Sequence, residues 1–193
     1  MAQRSPGART LVCGYCGQTS HLNADSLESA GDKHLLVDYG STLSIGQQRR
    51  LVNTEQTIMI LGRIRLKYED GFWDEWYAID LDNGSGVWIQ EDDGQFVIFK
   101  AVKELVSVPD FDSFRIGNWS DLGGNWEQTF LTSKSRAEVE GGEGELPFRI
   151  IPGEPADFVE GVANGKVVSV ELLPDEKTLY LGEPTLLVEM ALA

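Results

Sequence analysis

The sequence predicts a mainly β fold: antiparallel meanders forming one or two small barrel- or roll-like halves, with little helix. Three observations predict it. Within residues 62–99, the runs 63–68 and 76–81 alternate side chains with a period of two. Asn83-Gly84 and Asp93-Gly94 punctuate that stretch with dipeptides that turn a hairpin. Glycine, at 21 of 193 residues, is frequent enough to serve many such turns.

The first run of the meander sets Ile64, Leu66 and Tyr68 against Arg63, Arg65 and Lys67. The second sets Tyr77, Ile79 and Leu81 against Trp76, Ala78 and Asp80. With Tyr68 opposite Glu75, Leu66 meets Tyr77 and Ile64 meets Ile79, while Lys67 meets Trp76 and Arg63 meets Asp80. Residues 87–89 and 96–99 supply a third and a fourth strand. Residues 69–74 read as the first loop, with Phe72 and Trp73 at its tip. Those rings either fold back to cap an open end of the sheet, or form an aromatic-acidic contact surface with Asp74, Glu75, Trp76 and Trp88.

The formal net charge is −15, from 31 acidic and 16 basic residues. That excludes a nucleic-acid backbone as partner, which requires a basic footprint. It admits a cationic one: a basic protein surface, a polyamine or a metal ion. No apolar run approaches the ~20 residues of a membrane span. The N-terminus lacks the apolar core of a signal peptide, so the expected compartment is the cytoplasm. Two cysteines are too few for a disulfide framework.

In chain order, a disordered tail of about ten residues leads to Cys13-Gly-Tyr-Cys16-Gly, the form of a zinc knuckle. It supplies two ligands of a tetrahedral site. His21 and His34 are the remaining soft ligands; a zinc shared between two chains of a homo-oligomer, or free thiols, are the alternatives. Residues 23–33 read as a linker, which separates an N-terminal segment (1–40) from a β domain (41–193) with candidate halves 41–109 and 110–193. Residues 47–53 read as a loop or short helix. Residues 138–145, rich in Glu and Gly, read as a solvated hairpin tip rather than a metal loop. Strands are expected at residues 166–173, after the turn Asn164-Gly165, and at 178–182. No nucleophile elbow, phosphate-binding glycine loop or histidine-based catalytic set is present.

Several pieces taken together resemble the bacterial family of domains of unknown function catalogued as DUF4178. They are Trp73-Asp-Glu-Trp76-Tyr77, Gly86-Val-Trp88-Ile, Gly144-Glu-Leu-Pro-Phe148 and Leu179-Tyr-Leu-Gly182-Glu, and the resemblance spans residues 43–190. It implies an N-terminal zinc ribbon, of whose two Cys-x-x-Cys knuckles this chain carries the second. It also implies an accessory role near polyamine-synthesis or membrane-stress genes, and it names no catalytic residues.

The leading expectation is a non-enzymatic protein-binding or scaffold module with a protein partner, membrane-associated in one version. It would act through Phe72, Trp73, Asp74, Glu75, Trp76 and Trp88. The alternative is a small-cation module in which carboxylates and indole faces hold a polyamine. A carboxylate-based enzyme ranks last.

Overall fold

A computed structural model describes residues 7–23, 26–33, 35–102, 108–126, 128–173 and 177–193. Residues 1–6 of the expected ten-residue disordered tail lie outside the described residues, as do His34 and residues 103–107; the end of that tail is ordered, with Thr10 buried at the start of a strand.

Fifteen strands are described. The first seven are β1 (Thr10–Val12), β2 (Gln18–Leu22), β3 (Leu27–Lys33), β4 (Gln48–Leu51), β5 (Thr57–Tyr68), β6 (Gly71–Asp80) and β7 (Gly86–Asp92). There follow β8 (Gln95–Ala101), β9 (Trp119–Ser120), β10 (Thr129–Ser135), β11 (Glu138–Leu146) and β12 (Asp157–Ala163). The last are β13 (Lys166–Leu172), β14 (Lys177–Thr185) and β15 (Met190–Leu192). Helical structure among the described residues is confined to three short 3-10 turns.

All the strands lie in one antiparallel sheet of order β3-β2-β1-β11-β5-β6-β7-β8-β14-β13-β12-β10-β9, with β4 joining β5 to β15. The fold is mainly β and antiparallel, as expected, but it is one continuous sheet and no part closes into a barrel. Residues 41–109 and 110–193 interlock in it, because β11 pairs with β5 and β14 pairs with β8.

The sheet rolls. Trp73 on β6 meets Phe158 on β12 edge-to-face at 5.1 Å, although four strands separate them in the order. At the seam, Val139 N–H donates to the Glu154 carbonyl and Ala156 N–H to that of Ala137. A single bridging pair there, Glu138 with Pro155, takes the place of a ladder.

Four local expectations are corrected. The β5–β6 loop has two residues, not six: Tyr68 faces Gly71, Arg65 faces Asp74 and Arg63 faces Trp76. The tighter turn extends the ladder through Phe72–Asp74 and buries Trp73 among Ile64, Leu66 and Val139. Residues 138–145 form β11 rather than a hairpin tip, because Glu143 and Glu138 sit opposite Arg63 and Lys67 of β5. This crossing is close: a Cβ on Gly62 would lie 2.3 Å from the Glu145 carbonyl oxygen. Residues 48–51 form β4, whose buried Arg49 donates to the carbonyls of Met190 and Thr42, and residues 27–33 form β3 rather than a linker.

Candidate functional site

Alternation along β6 sends its side chains to two faces. Phe72, Asp74 and Trp76 take the outer face, beneath residues 39–51. There Arg65 grips Asp74 with two hydrogen bonds of 2.7 Å. Arg63 approaches Asp74 at 3.5 Å and Glu143 at 3.0 Å. Burial works against the Arg65 charge, but the Asp74 carboxylate outweighs it and raises the guanidinium above its usual range. Phe72 lies between the guanidinium of Arg65, 4.2 Å from its ring centre, and the ring of Tyr39, stacked at 4.8 Å. Trp76 is buried under the Arg63 guanidinium at 5.1 Å and donates its Nε1–H to Glu91 at 2.8 Å. On this face the Nε of Arg63 is buried without a hydrogen-bond partner among the described residues.

Trp73, Glu75 and Tyr77 take the inner face. Cross-strand pairing adds Gln90 beside Glu75 and Trp88 beside Tyr77. The rolled sheet brings a second wall against them. Glu160 faces Ser169, Phe158 faces Glu171 and Ser169 faces Tyr180 across β12, β13 and β14. The space between the walls has two adjoining lobes. The larger, about 180 Å³, is lined by Trp73, Glu75, Gln90, Asp92, Phe158, Glu160 and Ser169, among others. The smaller, about 20 Å³, is lined by Glu75, Trp88, Gln90, Phe158, Ser169, Glu171 and Tyr180, with Phe99 behind.

Glu75 is the centre of this space and belongs to both lobes. It is half-buried. Burial, reinforced by the charges of Glu171 and Glu160, pushes its carboxyl up to about 8 against the Trp73 N–H that favours ionisation. Asp92 is also raised, by burial and by Asp93. Glu160 accepts from Ser133 Oγ at 3.0 Å and weakly from Gln90 at 3.5 Å. Tyr180 donates to Glu171 at 3.2 Å. Ser169 is 6% exposed and lines both lobes. The arrangement is an acidic, aromatic-walled chamber that no Lys or Arg enters as a lining residue.

Of the six residues singled out in the sequence, the roll therefore gathers Trp73, Glu75 and Trp88, and turns Phe72, Asp74 and Trp76 away. Phe158, Glu160, Ser169 and Glu171 were missed. Their signal was present: Phe158 and Glu160 on one strand, and Ser169 and Glu171 on the next, occupy one face across the hairpin turn Asn164-Gly165.

Cys13 and Cys16 are free thiols at the tip of the β1–β2 hairpin. Backbone N–H groups of Cys16 and Tyr15 face the Cys13 sulfur and lower its thiol. His21 does not join them: it is buried, with Nε2 3.1 Å from the Ile150 carbonyl oxygen. Among the described residues no three His, Cys, Asp or Glu side chains converge to hold a metal ion, and no helix is long and apolar enough to cross a membrane. No family model, curated protein or solved structure matches the chain, so the site is read from its own geometry.

Proposed function

We propose that the protein is a binding module that takes a small organic ammonium ion inside its rolled sheet. One observation carries this reading: Glu75 lines two adjoining pockets, one shared with Glu160 and Trp73, the other with Glu171 and Trp88, and Phe158 borders both. Neither Glu75 nor Glu160 has a Lys or Arg within ion-pair distance among the described residues. Burial makes the Glu75 carboxylate costly, so the carboxyl holds its proton until an entering cation stabilises the charged form. Indole and phenyl faces suit an alkyl ammonium better than a strongly hydrated metal ion, because they attract the charge and also pack against its methylenes.

This reading takes up the small-cation alternative rather than the protein-contact edge. That edge needed six residues on one surface, and they divide between two faces of β6 and β7. The accessory role that the DUF4178 resemblance implies is compatible with a binding module.

Calorimetric titration with a series of alkylammonium chlorides tests the proposal. The wild-type chain should bind members of the series, and Glu75→Gln should weaken binding roughly tenfold or more, the effect of losing one charge-assisted hydrogen bond. A folded wild-type chain that binds none of them overturns it.

A further inference from the structure

Strands β8 and β14 pair with each other, and alternation gives each of them two faces. Phe99 and Tyr180 turn to the chamber. Ile98, Lys100, Leu181 and Glu183 line a separate cleft on the other face, with a volume of about 390 Å³. That volume falls within the roughly 300–1,000 Å³ of small-molecule sites. The cleft lies where two hydrophobic clusters meet. Leu51 belongs to one, with Ile98 packed against it, and Trp126 belongs to the other, with Leu181 packed against it. The body of the cleft is therefore aliphatic, with one indole in its lining.

Trp126 carries an independent sign of a ligand. It is 9% exposed, and its indole N–H is buried without a hydrogen-bond partner among the described residues. A buried donor in that state calls for an acceptor. The charged groups of the lining say which kind. Lys166 is paired with Glu183. Glu189 accepts the Leu186 N–H at 2.8 Å and so closes its own 3-10 turn. Lys100 differs from both. Its Nζ donates to the neutral amide oxygen of Gln56 at 3.0 Å, and among the described residues no carboxylate lies within ion-pair distance of it. Asp80 acts on Lys100 from beyond Gln56, whose Nε2–H it accepts at 2.6 Å. In a chain of net charge −15, this cleft thus presents an ammonium and an N–H that both lack an anionic acceptor.

We infer that the cleft binds an aliphatic monocarboxylate. The carboxylate answers Lys100 and the Trp126 N–H, and its chain lies over Ile98 and Leu181 toward Leu51. A carboxylate is a stronger acceptor for an ammonium than the Gln56 amide it replaces. A neutral amphiphile of the same length keeps the apolar contacts and loses the charged one.

Calorimetric titration of the full chain with sodium octanoate and with 1-octanol tests this. The two probes share a chain length and differ in the charge of the head. Octanoate should bind roughly fivefold or more tightly. Lys100→Gln should bring octanoate down to the octanol affinity and leave octanol unchanged, with circular dichroism confirming the β fold. In nitrogen–proton correlation spectra the indole resonance of Trp126, identified by its loss in Trp126→Phe, should move as octanoate saturates the chain. Equal affinity for the two probes overturns the proposal. So does full octanoate affinity in folded Lys100→Gln, or a Trp126 resonance that stays in place. A chain that binds neither probe, including one whose cleft is covered by a second copy in sedimentation, overturns it as well. Each outcome is independent of the ammonium chamber, which lies on the opposite face of the same two strands.

Discussion

The indole of Trp73 donates its Nε1–H to Glu75 Oε1 at 3.0 Å. The two residues are next-but-one neighbours on β6, so they project from the same face into the same chamber. Glu75 is thereby held in place, but one N–H does not offset its loss of water and the proximity of two further carboxylates. The outcome is a carboxyl that keeps its proton near neutral pH.

Fold stability should therefore depend on pH through Glu75. In the unfolded chain it titrates near 4.5, and in the folded chain near 8. Between those values the folded state holds a proton that the unfolded state has released. Stability then falls as pH rises, by at most about 1.4 kcal/mol per pH unit, and levels off above the folded value. Glu75→Gln keeps the shape and removes the titration. Urea unfolding midpoints across this window should decline in the wild type and flatten in the variant. An unchanged slope would show that other groups set it.

The outer face gives a different test. Asp74 is buried and holds Arg65 bidentately with Arg63 beside it. Asp74→Ala leaves two buried guanidinium groups short of a partner and should destabilise the fold by about 3–5 kcal/mol. The double variant Arg65→Met, Asp74→Leu removes the charges together and should recover most of that loss. Denaturant titration of the three proteins measures both. A single variant as stable as the wild type would mean that the pair contributes little.

Gly62 tests the β5–β11 crossing. An added methyl would collide with backbone, the Glu145 carbonyl oxygen and carbon at 2.3 and 2.9 Å, rather than with a flexible side chain. Gly62→Ala should force the strands apart and cost more than the roughly 1–3 kcal/mol of ordinary overpacking. A thermal midpoint within a degree or two of wild type would show that the strands shift freely.

How far these sites were legible can be seen in the β5–β6 pair. The expected register placed Tyr68 opposite Glu75, and the observed one places it opposite Gly71. The displacement is four residues, an even number, so each side chain keeps its face. A cation still covers Trp76, though it is Arg63 and not Lys67, and an Arg–Asp pair still forms, though it is Arg65 with Asp74. Alternation fixes faces, but it says little about where a hairpin turns when Glu69-Asp70 and the six-residue loop are both plausible turns. The chamber was less legible for another reason. Glu75 meets Glu160 and Glu171 only because the sheet rolls through β7, β8 and β14, and local periodicity does not encode that curvature. Glu138–Glu145 misled for a related reason, since its partner strand lies some seventy residues earlier and supplies the arginines that make an acidic strand favourable.

The raised Glu75 carboxyl also predicts how a cation enters. Near neutral pH the free chamber holds Glu75 mostly protonated, because its value lies near 8. An ammonium seated beside it favours the carboxylate and draws that value down. Binding then expels up to about one proton per chain at pH 7. The sign follows: affinity should strengthen as pH rises toward about 8 and level off beyond it, until the amine itself loses its charge. Calorimetry in buffers of different ionisation heats measures the released proton directly. Glu75→Gln should abolish the release and flatten the pH dependence while residual binding at Glu160 and Glu171 persists. Proton uptake on binding, or none in the wild type, would show that Glu75 does not exchange its proton for the ligand.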